Sequence, residues 1–164
     1  MKIFIIIILS AFNSISYAES TANLEKNSAA NLEESLTANI KDGVILKGYD
    51  PVSYFKGSKP IKGKPEIKVN INGITYLFST SENKIEFLKN PKKYTPEYEG
   101  WCATAVADGY KFDIHPENYK ITNDRLFLFY KGWRGNAKTD WLKDEPGQIK
   151  KADENWPKVR NEKE

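Results

Sequence analysis

The chain has 164 residues, 40% of them hydrophobic, with 25 Lys and Arg against 22 Asp and Glu. That length suits one domain of the common size, about 100–150 residues. The net charge of +3 comes from interspersed Lys and Glu, with no basic block, which argues against a nucleic-acid surface.

Residues 1–18 carry the order of a cleavable signal peptide. Lys2 precedes the apolar run Ile3–Leu9, and Ser16-Tyr17-Ala18 places small residues before Glu19. The run is about half of the roughly 20 apolar residues that a membrane span requires. A periplasmic or secreted protein with no membrane span in the mature chain, and a monomer, is therefore expected. Loss of Lys2 with the signal would leave 24 − 22 = +2. Residues 19–42 are polar, with Ala22-Asn23-Leu24, Ala30-Asn31-Leu32 and Ala38-Asn39-Ile40 recurring at a spacing of eight. Such short units bury too little to stack as a solenoid, so a flexible tether is expected, followed by a domain over 43–160.

Within that domain Val44-Ile45-Leu46 reads as a strand and Gly48-Tyr49-Asp50-Pro51 as a turn. Asp50 is placed to cap a brief helix with Pro51 at its first position. Over Glu66–Ser79, Ile67, Val69 and Ile71 alternate with polar residues, Asn72-Gly73 signals a type I′ turn, and Tyr76 and Phe78 resume the alternation. Ser81 is expected to cap a helix with Ile85, Phe87 and Leu88 as its apolar residues, ended by Pro91. Trp101–Asp108 predicts a helix stopping at Gly109. Tyr119–Tyr130 predicts a second hairpin turning at Asn123-Asp124. Lys138–Trp156 reads as two short helices broken at Pro146-Gly147. Short strands and helices without βαβ alternation predict a small single α+β domain, two antiparallel hairpins packed by short helices.

The segments Gly48-Tyr49-Asp50-Pro51-Val52-Ser53-Tyr54-Phe55, Tyr76-Leu77-Phe78-Ser79, Gly100-Trp101-Cys102-Ala103 and Lys151-Ala152-Asp153-Glu154-Asn155-Trp156-Pro157 occur in that order. With Phe87, Pro91 and Tyr94 between them, this text resembles the exported branch of the YHS-domain family over nearly everything after about Asp42. The resemblance implies the fold and an exported accessory or binding protein, but no particular reaction. The short YHS modules of copper-transporting ATPases carry cysteines where Ser53 and Ser79, or their neighbours, stand here. The exported branch instead has its cysteine at the position of Cys102, where some relatives look like they carry selenocysteine. The position of His115 looks like one where relatives commonly have aspartate.

Cys102 is the one cysteine, so no internal disulfide forms, which is unusual for an exported chain. Its place at the start of a helix would lower the thiol pKa, with Glu99 opposing. Against this, Cys102, Ala105 and Val106 share one face, which fits simple burial. His115, the one histidine, is a candidate partner for the thiol, and Asp113 lies two residues before it. No organic cofactor is expected. A transition metal would have to draw on Cys102, His115, Asp113 and Asp50, which falls short of a four-ligand N/S zinc site. Three readings follow: a binding module for a small molecule or periplasmic protein, a thiol oxidoreductase with an external resolving thiol, or a copper- or zinc-handling protein. Trp101, Tyr110, Trp133, Trp141 and Trp156 are read as packing.

Overall fold

Turn chemistry places the two hairpins. The structure, a computed structural model, describes residues 37–57 and 59–162. The expected signal peptide, residues 1–18, and residues 19–36 of the expected tether lie outside the described residues. Strands β3 (Lys64–Ile71) and β4 (Ile74–Phe78) pair antiparallel around Asn72 and Gly73, both with positive φ as a type I′ turn requires. Ile74, Tyr76 and Phe78 point into the core, while Ile71 and Val69, opposite the first two, are half-buried and Lys64, opposite Phe78, is exposed. Two short strands, β1 (Ile40–Lys41) and β2 (Val44–Ile45), extend this sheet, with β2 running parallel to β4. Residues 37–42 therefore belong to the domain and not to the tether. Their anchors are tertiary: Trp101 Nε1 donates to the Thr37 carbonyl at 2.7 Å, and Asn39 N–H donates to the Glu99 carbonyl at 3.0 Å. Leu46 leaves the expected strand for a left-handed turn, φ 57°.

Helix α1 (Ser81–Lys89) is capped one residue earlier than expected, by Thr80, whose hydroxyl accepts the Asn83 N–H. Its inward face also differs. Asn83 and Phe87, one turn apart, are buried, whereas Ile85 and Leu88 are exposed. A polar residue with a buried partner sets the phase of this helix, and an apolar count passes over it. After α2 (Pro91–Tyr94) and a 3-10 turn over Glu97–Gly100 comes α3 (Ala103–Ala107), with Cys102 as its N-cap.

Strands β5 (Tyr119–Thr122) and β6 (Arg125–Leu128) form the second hairpin, turning at Asn123-Asp124 in left-handed backbone. A small third hairpin, β7 (Lys131–Gly132) and β8 (Gly135–Asn136), leads to α4 (Ala137–Trp141). The tail does not break at Pro146-Gly147: α5 runs unbroken from Glu145 to Val159. Proline costs nothing in the first turn, where its missing N–H would have no partner, and the Asp144 carboxylate accepts the Gly147 N–H. Trp141, fully buried, packs on Phe127 and Phe129 with ring centroids 5.1 and 5.3 Å away. The architecture is a mixed α+β domain. The Lys151–Pro157 segment ties α5 down: Asn155 donates to the carbonyls of Val106 and Ala107 at the end of α3, Asp153 accepts from the Tyr98 hydroxyl, and Trp156 packs on Tyr98.

Candidate functional site: a lysine-lined cleft beside a sealed thiol

Cys102 is held between the connector at Phe112 and the end of the second hairpin at Tyr130. Its N–H donates to the Phe112 carbonyl, and its Sγ accepts the Tyr130 N–H at 3.3 Å. The residue is 1% exposed. Burial pushes the thiol pKa up, and the N–H groups of Tyr130, Ala105 and Thr104 oppose that without overcoming it. The expected lowering by the helix start is present in kind but loses to desolvation. Glu99 turns away, accepting from Arg160 at 2.7 Å and from the Thr37 hydroxyl. His115 is exposed, and its N–H donates to the Phe129 carbonyl. No hydrogen bond joins it to Cys102, so the pair does not form a dyad.

Asp50 is fully buried and does more than cap a turn. Oδ1 accepts the N–H groups of Val52 and Ser53, which closes the brief 3-10 helix Ser53–Phe55. Oδ2 accepts from the Ser79 N–H at 2.8 Å, the Ser79 hydroxyl at 2.6 Å and Asn83 Nδ2 at 2.7 Å. The Ser53 hydroxyl donates to the Asp50 carbonyl and accepts the Ile61 N–H. Every oxygen of the carboxylate is thus occupied by donors from this chain, the arrangement that lets a carboxylate sit in a core.

A cleft of about 1100 Å³ opens between β1–β2 and the segments 47–48, 62–65 and 111–113. Two Lys-Gly pairs build one wall. Gly63 N–H donates to the Gly48 carbonyl at 2.9 Å, and Tyr49 bridges Lys62, so Lys47 and Lys62 are brought together on adjacent segments. Gly63 has to be glycine, because a Cβ there would lie 2.5 Å from the Leu77 backbone carbon. Lys47 follows Leu46 in left-handed backbone, φ 51°, and Gly48 completes the turn at φ 81°. Tyr98, Glu99 and Gly100 repeat this left-handed pattern across Ile45. Non-glycine residues in that region cost about 1–2 kcal/mol each, and such strain collects where the fold holds a particular surface in place.

Asp113 lies on the opposite wall. Its carboxylate accepts from Lys47 Nζ at 2.6 Å, from Asn39 Nδ2 and from the Ile114 N–H. Partial burial opposes its ionisation, but these three donors outweigh it and hold the carboxyl below its usual range. Lys47, Lys62 and Lys111 escaped the sequence reading because isolated lysines carry no signal. The local clue is that Lys47 and Lys62 each precede a glycine.

The four candidate ligands are in different settings: Cys102 is sealed, His115 is exposed, Asp113 is paired with Lys47, and Asp50 is saturated. Among the described residues no three His, Cys, Asp or Glu side chains gather so as to hold a metal ion. Trp101, Trp141 and Trp156 pack as expected, but Trp133 is 87% exposed and Tyr110 half exposed. No helix among the described residues is long and apolar enough to cross a membrane. No family model, curated protein or solved structure matches the chain.

Proposed function

We propose that this chain is an exported binding module, as its likeness to the exported YHS-domain branch implies, and that the cleft between β1–β2 and residues 111–113 is the ligand seat. The observation that carries this reading is the cleft itself. It is about 1100 Å³, large enough for a small molecule, lined by both apolar and charged groups, and walled by strained turns. A thiol enzyme is less well supported, since Cys102 is covered and its pKa is raised. Amide-shift mapping with a library of charged and uncharged fragments tests the reading. Binding fragments should move the amides of Gly48, Gly63, Leu77 and Phe112. Binders that leave these four still, and gather elsewhere, would remove the cleft as the seat.

A further inference from the structure

The charge on the cleft is unbalanced. Four lysines line it, Lys41, Lys47, Lys62 and Lys111, against two carboxylates, Asp42 and Asp113. Among the described residues Lys47 alone of the four has an ion-pair partner, Asp113 at 2.6 Å. Lys62 Nζ donates to the Lys47 carbonyl at 3.2 Å and sits 5.1 Å from the centre of the Tyr49 ring. Lys111 Nζ donates to the Glu162 carbonyl at 3.0 Å and sits 5.6 Å from the centre of the Trp101 ring. Among the described residues no carboxylate lies within ion-pair distance of either ammonium. Carbonyl oxygens and ring faces solvate a cation without cancelling its charge. The rest of the lining includes Ile40, Val44, Leu77, Trp101 and Phe112, an apolar surface beside these cations.

Resting on the cleft as ligand seat, we propose that it selects a small organic anion: a carboxylate on a flat apolar body. The anionic head meets Lys62 and Lys111, and the body lies on the apolar lining. The Lys47–Asp113 pair spans the two walls and leaves Lys41, Lys62 and Lys111 against Asp42, a net positive charge that the ligand answers, with Lys62 and Lys111 the two beside aromatic rings. An uncharged molecule of the same shape gains only the apolar contact, and a cation of that shape is repelled.

Three probes of one shape separate the possibilities: 2-naphthoate, 2-naphthylmethanol and 2-naphthylmethylamine, each titrated into the full mature protein with amide shifts as readout. The expected result is that 2-naphthoate moves the Gly48, Gly63 and Phe112 amides and binds at least tenfold more tightly than the alcohol. A Lys62→Gln/Lys111→Gln double variant should lose that tenfold preference while binding the alcohol unchanged. Lys92→Gln, an exposed lysine away from the cleft, should keep it. Equal binding of acid and alcohol, preference for the amine, or a preference that survives the double variant would each overturn anion selection while leaving the cleft as the seat. Silence of the cleft amides toward all three probes would overturn both.

Discussion

Ser79 gives Asp50 two hydrogen bonds that end on the same oxygen, its N–H at 2.8 Å and its hydroxyl at 2.6 Å from Oδ2. Ser53 holds the other end of the residue, through its own N–H and hydroxyl. The two serines converge on one buried carboxylate, which fastens the Tyr49–Phe55 turns to the exit of β4 and the first turn of α1.

Asp50→Ala should consequently cost at least about 3 kcal/mol, because it leaves the Ser79 N–H and hydroxyl, the Asn83 amide and the Val52 N–H in a core without their acceptor. Asp50→Asn keeps one oxygen and should lose less. Urea denaturation of both variants measures this. A loss under about 1 kcal/mol for the alanine variant would show that the knot does not hold the fold together.

Cys102 should resist iodoacetamide in the native protein at pH 8 and react freely in urea, since it is 1% exposed and burial raises its pKa. Cys102→Ser should destabilise by about 1–3 kcal/mol, because the buried hydroxyl keeps the Tyr130 N–H as a donor but has no assured acceptor for its own proton. Fast native labelling with a neutral serine substitution would return the thiol to the list of working groups.

Gly63→Ala should cost about 1–3 kcal/mol, since its new methyl would overlap the backbone of Leu77, which cannot move aside as a side-chain tip can. It should also shift the amides of Gly48 and Leu77 on the cleft wall. Gly57→Ala is the matched control. Nothing lies within 4 Å of a Cβ there, so its denaturation midpoint should stay level or rise slightly. Equal behaviour of the two variants would refute the close approach.

Arg125 bonds Asp153 and Glu97, and it holds the Asp153 carboxyl below its usual range, with the Tyr98 hydroxyl assisting and burial opposing. A carboxyl with a lowered folded pKa stabilises fully above its unfolded value, about 4, and that stability is lost as pH falls toward the folded pKa. Urea midpoints should therefore drop between pH 6 and pH 3. Arg125→Gln should lie below wild type by about 1 kcal/mol or less at pH 6, the groups being partly exposed, and the gap should narrow at pH 3. Curves that stay parallel would mean that the ion pair contributes no pH-dependent stability.

Local chemistry in the sequence sufficed for the two hairpins, because Asn72-Gly73 and Asn123-Asp124 favour left-handed backbone whatever surrounds them. It sufficed also for the stop of α3 at Gly109 and for Asp50 as a local acceptor of the Val52 N–H, although the brief helix starts at Ser53, two residues later than the Pro51 start expected. Tertiary structure decided the rest. Residues 37–42 looked like tether because their partners, Glu99 and Trp101, are some 60 residues away. The phase of α1 followed Asn83, whose partner Asp50 is 33 residues earlier. The state of Cys102 depended on the Tyr130 backbone closing over it and on the desolvation that follows. The cleft needed two distant Lys-Gly pairs to meet across one hydrogen bond, from Gly63 to Gly48. A turn is a preference of neighbours in the chain, which a sequence displays directly. Burial and the meeting of charges are properties of segments far apart, and they come into being only when the chain has closed.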